Sequence, residues 1–108
     1  MSDELLAQVY GKLRVTWSDE ATDARIRDVI IPTAEADLRF KIGIPEGAEF
    51  DFATPGTENI LFLGHCYYQW NDAEDEYDGN YAAMLGQARR KWEVIQHAEE
   101  EPAPADLP

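Results

Sequence analysis

Residues 57–70 read TENILFLGHCYYQW, an aromatic and apolar run at helical spacing. Apolar side chains lie round much of its circumference, so this helix has little surface to give to water. It must sit at the centre of whatever forms around it. Thr57 is the expected N-cap, with Glu58 in the first turn. Ile60, Leu61, Gly64, Tyr67, Tyr68 and Asn71 are expected to share the inward face, widened by Leu63 and Trp70. The pattern passes without a break into Asp72, Glu74, Asp75, Glu76 and Asp78. Asp78-Gly79-Asn80 is expected to end the helix, and Tyr81 to open the next.

Three further helices flank this one in the sequence. The first is expected over 3–14, capped by Ser2 or Asp3, with Leu5, Leu6, Val9, Tyr10 and Leu13 on one side. Val15-Thr16-Trp17 favours an extended chain. Ser18 is the expected cap of a second helix reaching about Ile42, with the apolar stripe Ile26, Val29, Ile30, Ala34, Leu38. Pro32 lacks a backbone donor and should kink or split that helix, and Gly43 suits its C-terminal end. Residues 44–56 form a loop in which Phe50 and Phe52 alternate with acids, and a short hairpin at 49–53 is the one strand the pattern allows. The last helix, 81–98, shows a stripe of Tyr81, Met84, Leu85, Ala88, Trp92 and Ile95. The fold class is therefore all-α: about four helices in a small bundle with an irregular loop between helices two and three. The domain is expected to span 1–98, and 99–108 to be a flexible tail, since it combines consecutive acids with prolines.

The net charge is −13. Between Lys41 and Arg89 there is no Lys or Arg, while nine acids fall there. Affinity for nucleic acid comes largely from cations that neutralise phosphates, so this surface repels a duplex. An anionic membrane is disfavoured for the same reason, and no apolar run approaches the length of a membrane span. The N-terminus lacks a basic stretch ahead of an apolar one, which predicts no secretory signal.

Reactive groups are sparse. Cys66 is the one cysteine, so no internal disulfide forms, and it falls in an apolar run where a thiol packs as a small hydrophobe. His65 and Cys66 are adjacent and point about 100° apart on a helix, which does not suit a shared metal. The acid run fails as a calcium loop: with Gly79 at the turn position, the residue where a bidentate Glu is needed is Leu85. No phosphate-binding glycine loop is present. No catalytic residue, metal or cofactor is expected. The aromatics Trp17, Trp70, Trp92, Tyr67, Tyr68, Tyr77 and Tyr81 exceed what a domain of this size must bury. Trp92 and Tyr67 are assigned to the core, and others to a contact surface.

The order of elements resembles the head-tail connector (adaptor) proteins of tailed bacteriophages. The likeness rests on Leu13-Arg14-Val15, similar to that family's LRV/LRI segment, on the Ser18-Asp19-Glu20 turn, and on a second helix ending near Gly43. Beyond the loop, 61–71 reads LFLGHCYYQWN, followed by Glu76-Tyr77 and Asn80-Tyr81, similar to a YCRYAWNNA…EFxxNY pattern. It covers most of 3–92, while Pro32 and the acidic tail depart from it. The resemblance implies a structural virion protein made in the host bacterial cytoplasm. About a dozen copies would form a ring by heterologous contacts, docked on the portal and leading to a tail or stopper protein. DNA would pass through without sequence-specific binding. Trp17, Arg25, Arg27, Trp70, Tyr77, Tyr81, Arg89, Arg90 and Lys91 are the expected subunit or partner contacts, with the cations pairing to acids across subunits. Asp72, Glu74, Asp75, Glu76 and Asp78 are expected on the channel or outer surface. Two other classes use the same composition: a small acidic inhibitor that mimics DNA, and a generic helical binding module.

Overall fold

The computed structural model describes residues 2–100. They fold as α1 (Asp3–Leu13), α2 (Glu20–Ala24), a π-helical segment (Arg25–Ile30), α3 (Ile31–Ile42), α4 (Thr57–Trp70), α5 (Glu74–Asn80) and α6 (Ala82–Glu100). α2, the π segment and α3 run on from one another, so the fold has five helices in space and, among the described residues, no strand. The expected hairpin at 49–53 is absent. The count exceeds four because the acid run is a separate helix. α6 continues through Glu100, and the rest of the expected tail lies outside the described residues.

Each boundary has a local cause. Ser2 accepts from Leu5 N–H at 3.1 Å and caps α1. Arg14 adopts a left-handed conformation (φ 60°) and Val15 N–H reaches back to Tyr10 O, which closes the C-terminal end. Asp19, not Ser18, caps α2, accepting from Thr22 N–H at 3.2 Å and its hydroxyl at 2.9 Å. α4 ends at 71–73, ahead of the expected break: Asp72 is left-handed (φ 55°) and Ala73 N–H bonds Tyr68 O at 2.8 Å. Asp tolerates that conformation because its short side chain does little to obstruct it. Glu74, Asp75 and Glu76 then occupy the first turn of α5, where carboxylates favour the positive end of the helix dipole. Gly43 takes φ 87° at the end of α3, a conformation that glycine adopts without penalty.

Pro32 is accommodated by the π segment. Ile31 N–H bonds Ile26 O, five residues back, so the chain gains a residue in the turn before the proline. That extra residue changes the face. Ile26, Ile30, Ile31, Ala34 and Leu38 are buried, while Val29 is carried outward to 54 % exposure. The expected stripe is corrected at this one position.

α4 touches α1, the π segment, α3, α5 and α6, and is the central helix. Its inward residues are Glu58, Leu61, Phe62, Gly64, His65, Cys66 and Gln69. Ile60 and Tyr67, expected inside, are about half exposed, at 50 % and 43 %. The face is rotated from the expected one because polar residues lie on it. The loop packs on this core: Phe52 stacks on Phe62 (4.8 Å between ring centres) and Phe50 sets its edge against Trp92 (5.5 Å). Asn59 holds it, donating to Phe52 O and to Gln8 Oε1, both at 2.7 Å.

Gly64 marks the closest approach between α4 and the start of α6. A methyl group there would lie 2.6 Å from Tyr81 Oη and 2.8 Å from Cζ. Gly64→Ala is expected to cost about 1–3 kcal/mol by overpacking, read by chemical denaturation. In a Tyr81→Ala background the cost should fall by about 1 kcal/mol or more, since the two sites couple directly. An unchanged cost would show that the clash is not the cause.

Candidate interaction surfaces

The polar groups of the interior form two closed clusters. In the first, Glu58 is 3 % exposed at the start of α4. Its carboxylate accepts from Lys91 Nζ at 2.7 Å and Trp92 Nε1 at 3.1 Å. Burial pushes this carboxyl upward, but Lys91, its own backbone N–H and the Trp92 indole outweigh it, and the net is below the ordinary value. In the second, His65 Nε2 lies 2.8 Å from Asp37 Oδ2, and the Gln69 amide donates to His65 Nδ1 at 3.0 Å and to Ile30 O at 2.9 Å. With Nδ1 accepting, the ring proton sits on Nε2 and faces Asp37. Lys41 joins Asp37 (2.7 Å) to Asp78 (2.5 Å). Burial raises the Asp37 carboxyl and lowers the Lys41 ammonium, but their bonds to each other, to His65 and to Asp78 reverse both. Asp37 ends below, and Lys41 above, its ordinary value.

An Asp–His pair invites a nucleophile, and this one has none. Cys66 is fully buried and its thiol is pushed up to about 12 by desolvation, so it is not a thiolate at neutral pH. The Tyr77 hydroxyl, also raised by burial, donates to Leu61 O at 2.7 Å. Both His65 ring nitrogens are already bonded. Among the described residues no group of three His, Cys, Asp or Glu could hold a metal ion, and no helix is long and apolar enough to cross a membrane.

The expected contact residues divide. Tyr77 is 2 % exposed and belongs to the core, stacked on Tyr81 at 4.7 Å; it is withdrawn as a surface residue. Tyr81 is half-buried between Gly64, Tyr68 and Tyr77. Arg25 lies over the Trp70 ring at 4.8 Å and donates to Gln69 O and Trp70 O, carbonyls in the last turn of α4. Its 3.7 Å approach to Asp72 is exposed and weak. Arg27 reaches the Tyr10 hydroxyl, which donates to Asp23. Lys91 is bound to Glu58. Arg25, Arg27 and Lys91 thus each have a partner inside the chain while keeping part of the side chain exposed. Trp17 is 51 % exposed, and Arg89 and Arg90 lie on the outer face of α6. Asp72, Glu74, Asp75 and Glu76 are exposed, while Asp78 is exposed but bonded to Lys41.

The side chain that periodicity missed is Phe40. It is 85 % exposed on α3. The signal was available: Phe40 falls off the stripe Ala34, Leu38, Ile42 that α3 buries. Comparison with known proteins finds no matching family model, no matching curated protein and no matching solved structure.

The lowered pKa of Glu58 gives a stability effect with a definite sign. Its contribution is complete above the ordinary carboxylate range and lost as pH falls through the folded value. Glu58→Gln is expected to cost about 1–2 kcal/mol near neutral pH, since the amide loses the ion pair with half-exposed Lys91 and accepts from the buried Trp92 indole without the charge that strengthens that bond. The gap from wild type should narrow as pH falls below the ordinary carboxylate range, where Glu58 takes up a proton. A gap that persists unchanged in acid would mean the charge is not involved.

Proposed function

We propose that this chain is a structural subunit of a phage head-tail connector, a ring protein beneath the portal that extends the DNA channel toward the tail. The observation that carries the reading is the distribution of acids. Asp72, Glu74, Asp75 and Glu76 stand exposed on one short helix and the turn before it. The cations beside them are few: Lys41 is held by Asp37 and Asp78, and Arg25 lies 3.7 Å from Asp72. A surface so dominated by acids repels the DNA backbone, as a channel through which DNA slides requires. The polar interior supports the same reading, since its polar groups are bonded to one another rather than poised for reaction. The stretches on which the resemblance rests lie in or beside helices, with α1 closing at Arg14, α2 capped at Asp19 and α4 running to Trp70, and the reading draws on that order.

Electron microscopy of the protein mixed with a tailed-phage portal protein from the same source tests the reading. Ring-shaped density on the portal is the expected result. Its absence at high protein concentration would sink the connector assignment. Competition with duplex DNA for a basic DNA-binding protein would instead favour the inhibitor class.

A further inference from the structure

The turn at 71–73 folds α5 back along α4, where the Tyr77 hydroxyl reaches Leu61 O. Between the last turns of α4 and the outer side of α5 this leaves an open cleft of about 390 Å³, lined by Tyr67, Tyr68, Asn71, Ala73, Glu76 and Asn80. One wall is aromatic. Tyr67 and Tyr68 stand edge to face with 6.3 Å between ring centres, and Tyr68 is braced edge-on by Tyr77 and Tyr81. The rest of the lining offers oxygen. Asn71 Nδ2 donates to Tyr67 O and Asn80 Nδ2 to the Tyr68 hydroxyl, both at 2.8 Å, which leaves the two amide oxygens as acceptors. Glu76 is exposed and, among the described residues, its carboxylate has no ion pair, unlike Asp78, which holds Lys41.

This lining selects its occupant by chemistry. A carboxylate or phosphate would meet the charge of Glu76. A metal ion finds too few ligands, since no group of three His, Cys, Asp or Glu stands together among the described residues. An apolar group would cover the amide oxygens and give them no partner. A flat cation made only of donors fits every part: ring faces take its plane, and the oxygens take its N–H groups. The chain uses the same match one turn away, where Arg25 lies over the Trp70 ring and donates to Gln69 O and Trp70 O. Lys12 already sets its ammonium 5.5 Å from the centre of the Tyr67 ring, so that ring takes a cation in this fold.

We propose that this cleft receives an arginine side chain from a basic segment of another protein. The guanidinium lies against the tyrosine wall and bonds Glu76 and the amide oxygens. A second base in the segment lies along Glu74 and Asp75, which are exposed in the first turn of α5. At a net charge of −13 each, two copies of this chain repel, which favours a separate basic partner over a second copy as the source. The site does not rest on the connector reading: it is measured on the free chain, and ring density on a portal is a separate result.

The probe is a blocked peptide, Gly-Ser-Arg-Gly-Arg-Ser-Gly, titrated into the full chain and followed by amide NMR shifts. Saturable binding is expected, with the shifts centred on 67–80. The peptide with lysine in place of both arginines should bind about 3-fold more weakly or worse, and the peptide with uncharged citrulline should not bind. Tyr67→Ser and Glu76→Gln should each weaken the arginine peptide about 3-fold or more. Glu46→Gln, which removes an equal charge from the exposed loop, should not. No saturable binding, equal affinity for the lysine peptide, or a loss through Glu46→Gln as large as through Glu76→Gln would each overturn the site. Self-association that the peptide displaces and Glu76→Gln weakens would assign the cleft to a second copy and overturn the separate partner.

Discussion

The structure depends on how α4 is set in rotation about its own axis. Its inward face mixes Leu61, Phe62 and Cys66 with Glu58, His65 and Gln69. Apolar side chains alone tolerate several rotations at similar cost. A buried polar group does not, because an unbonded one forfeits its hydration with nothing in return. Each of the three finds its partner on a different element. Glu58 bonds α6 through Trp92 and Lys91, His65 bonds α3 through Asp37, and Gln69 bonds the π segment at Ile30 O. Turning α4 by one residue would break all of these bonds together. Among the described residues no buried side-chain polar atom lacks a partner, so the arrangement is closed.

The π segment has consequences beyond Pro32. By adding a residue before the proline, it turns Ile31 into the core and Val29 out of it. The outward face of α3 thereby becomes continuous from Val29 to Phe40. A backbone adjustment at one missing donor shapes a surface twelve residues long.

Charge is also deployed by structure. Arg25 neutralises the carbonyl end of α4, Lys41 bridges two acids, and Lys91 serves a buried carboxylate. These cations are taken up in holding helix ends and loop to the core. What remains outside is strongly acidic around α5.

The sequence by itself determined the all-helical class and the ends of α1 and α3, whereas the expected caps Ser18 and Thr57 gave way to Asp19 and Gly56. Ser2, Gly43 and the position of α4 at the centre follow from side-chain hydrogen bonding, glycine's freedom and an apolar run. Only the tertiary structure decided which face of α4 is buried, since hydropathy counts Glu58, His65 and Gln69 as outward, and only their distant partners make burial affordable. Tyr77 moved into the core for the same reason, its hydroxyl satisfied by Leu61 O sixteen residues away. Phe40 was legible as an off-stripe residue, but its isolation was not, because exposure depends on where the neighbouring helices stop. Periodicity reads one helix at a time; partners for buried polar atoms come from elsewhere in the chain, and those pairings fixed the rest.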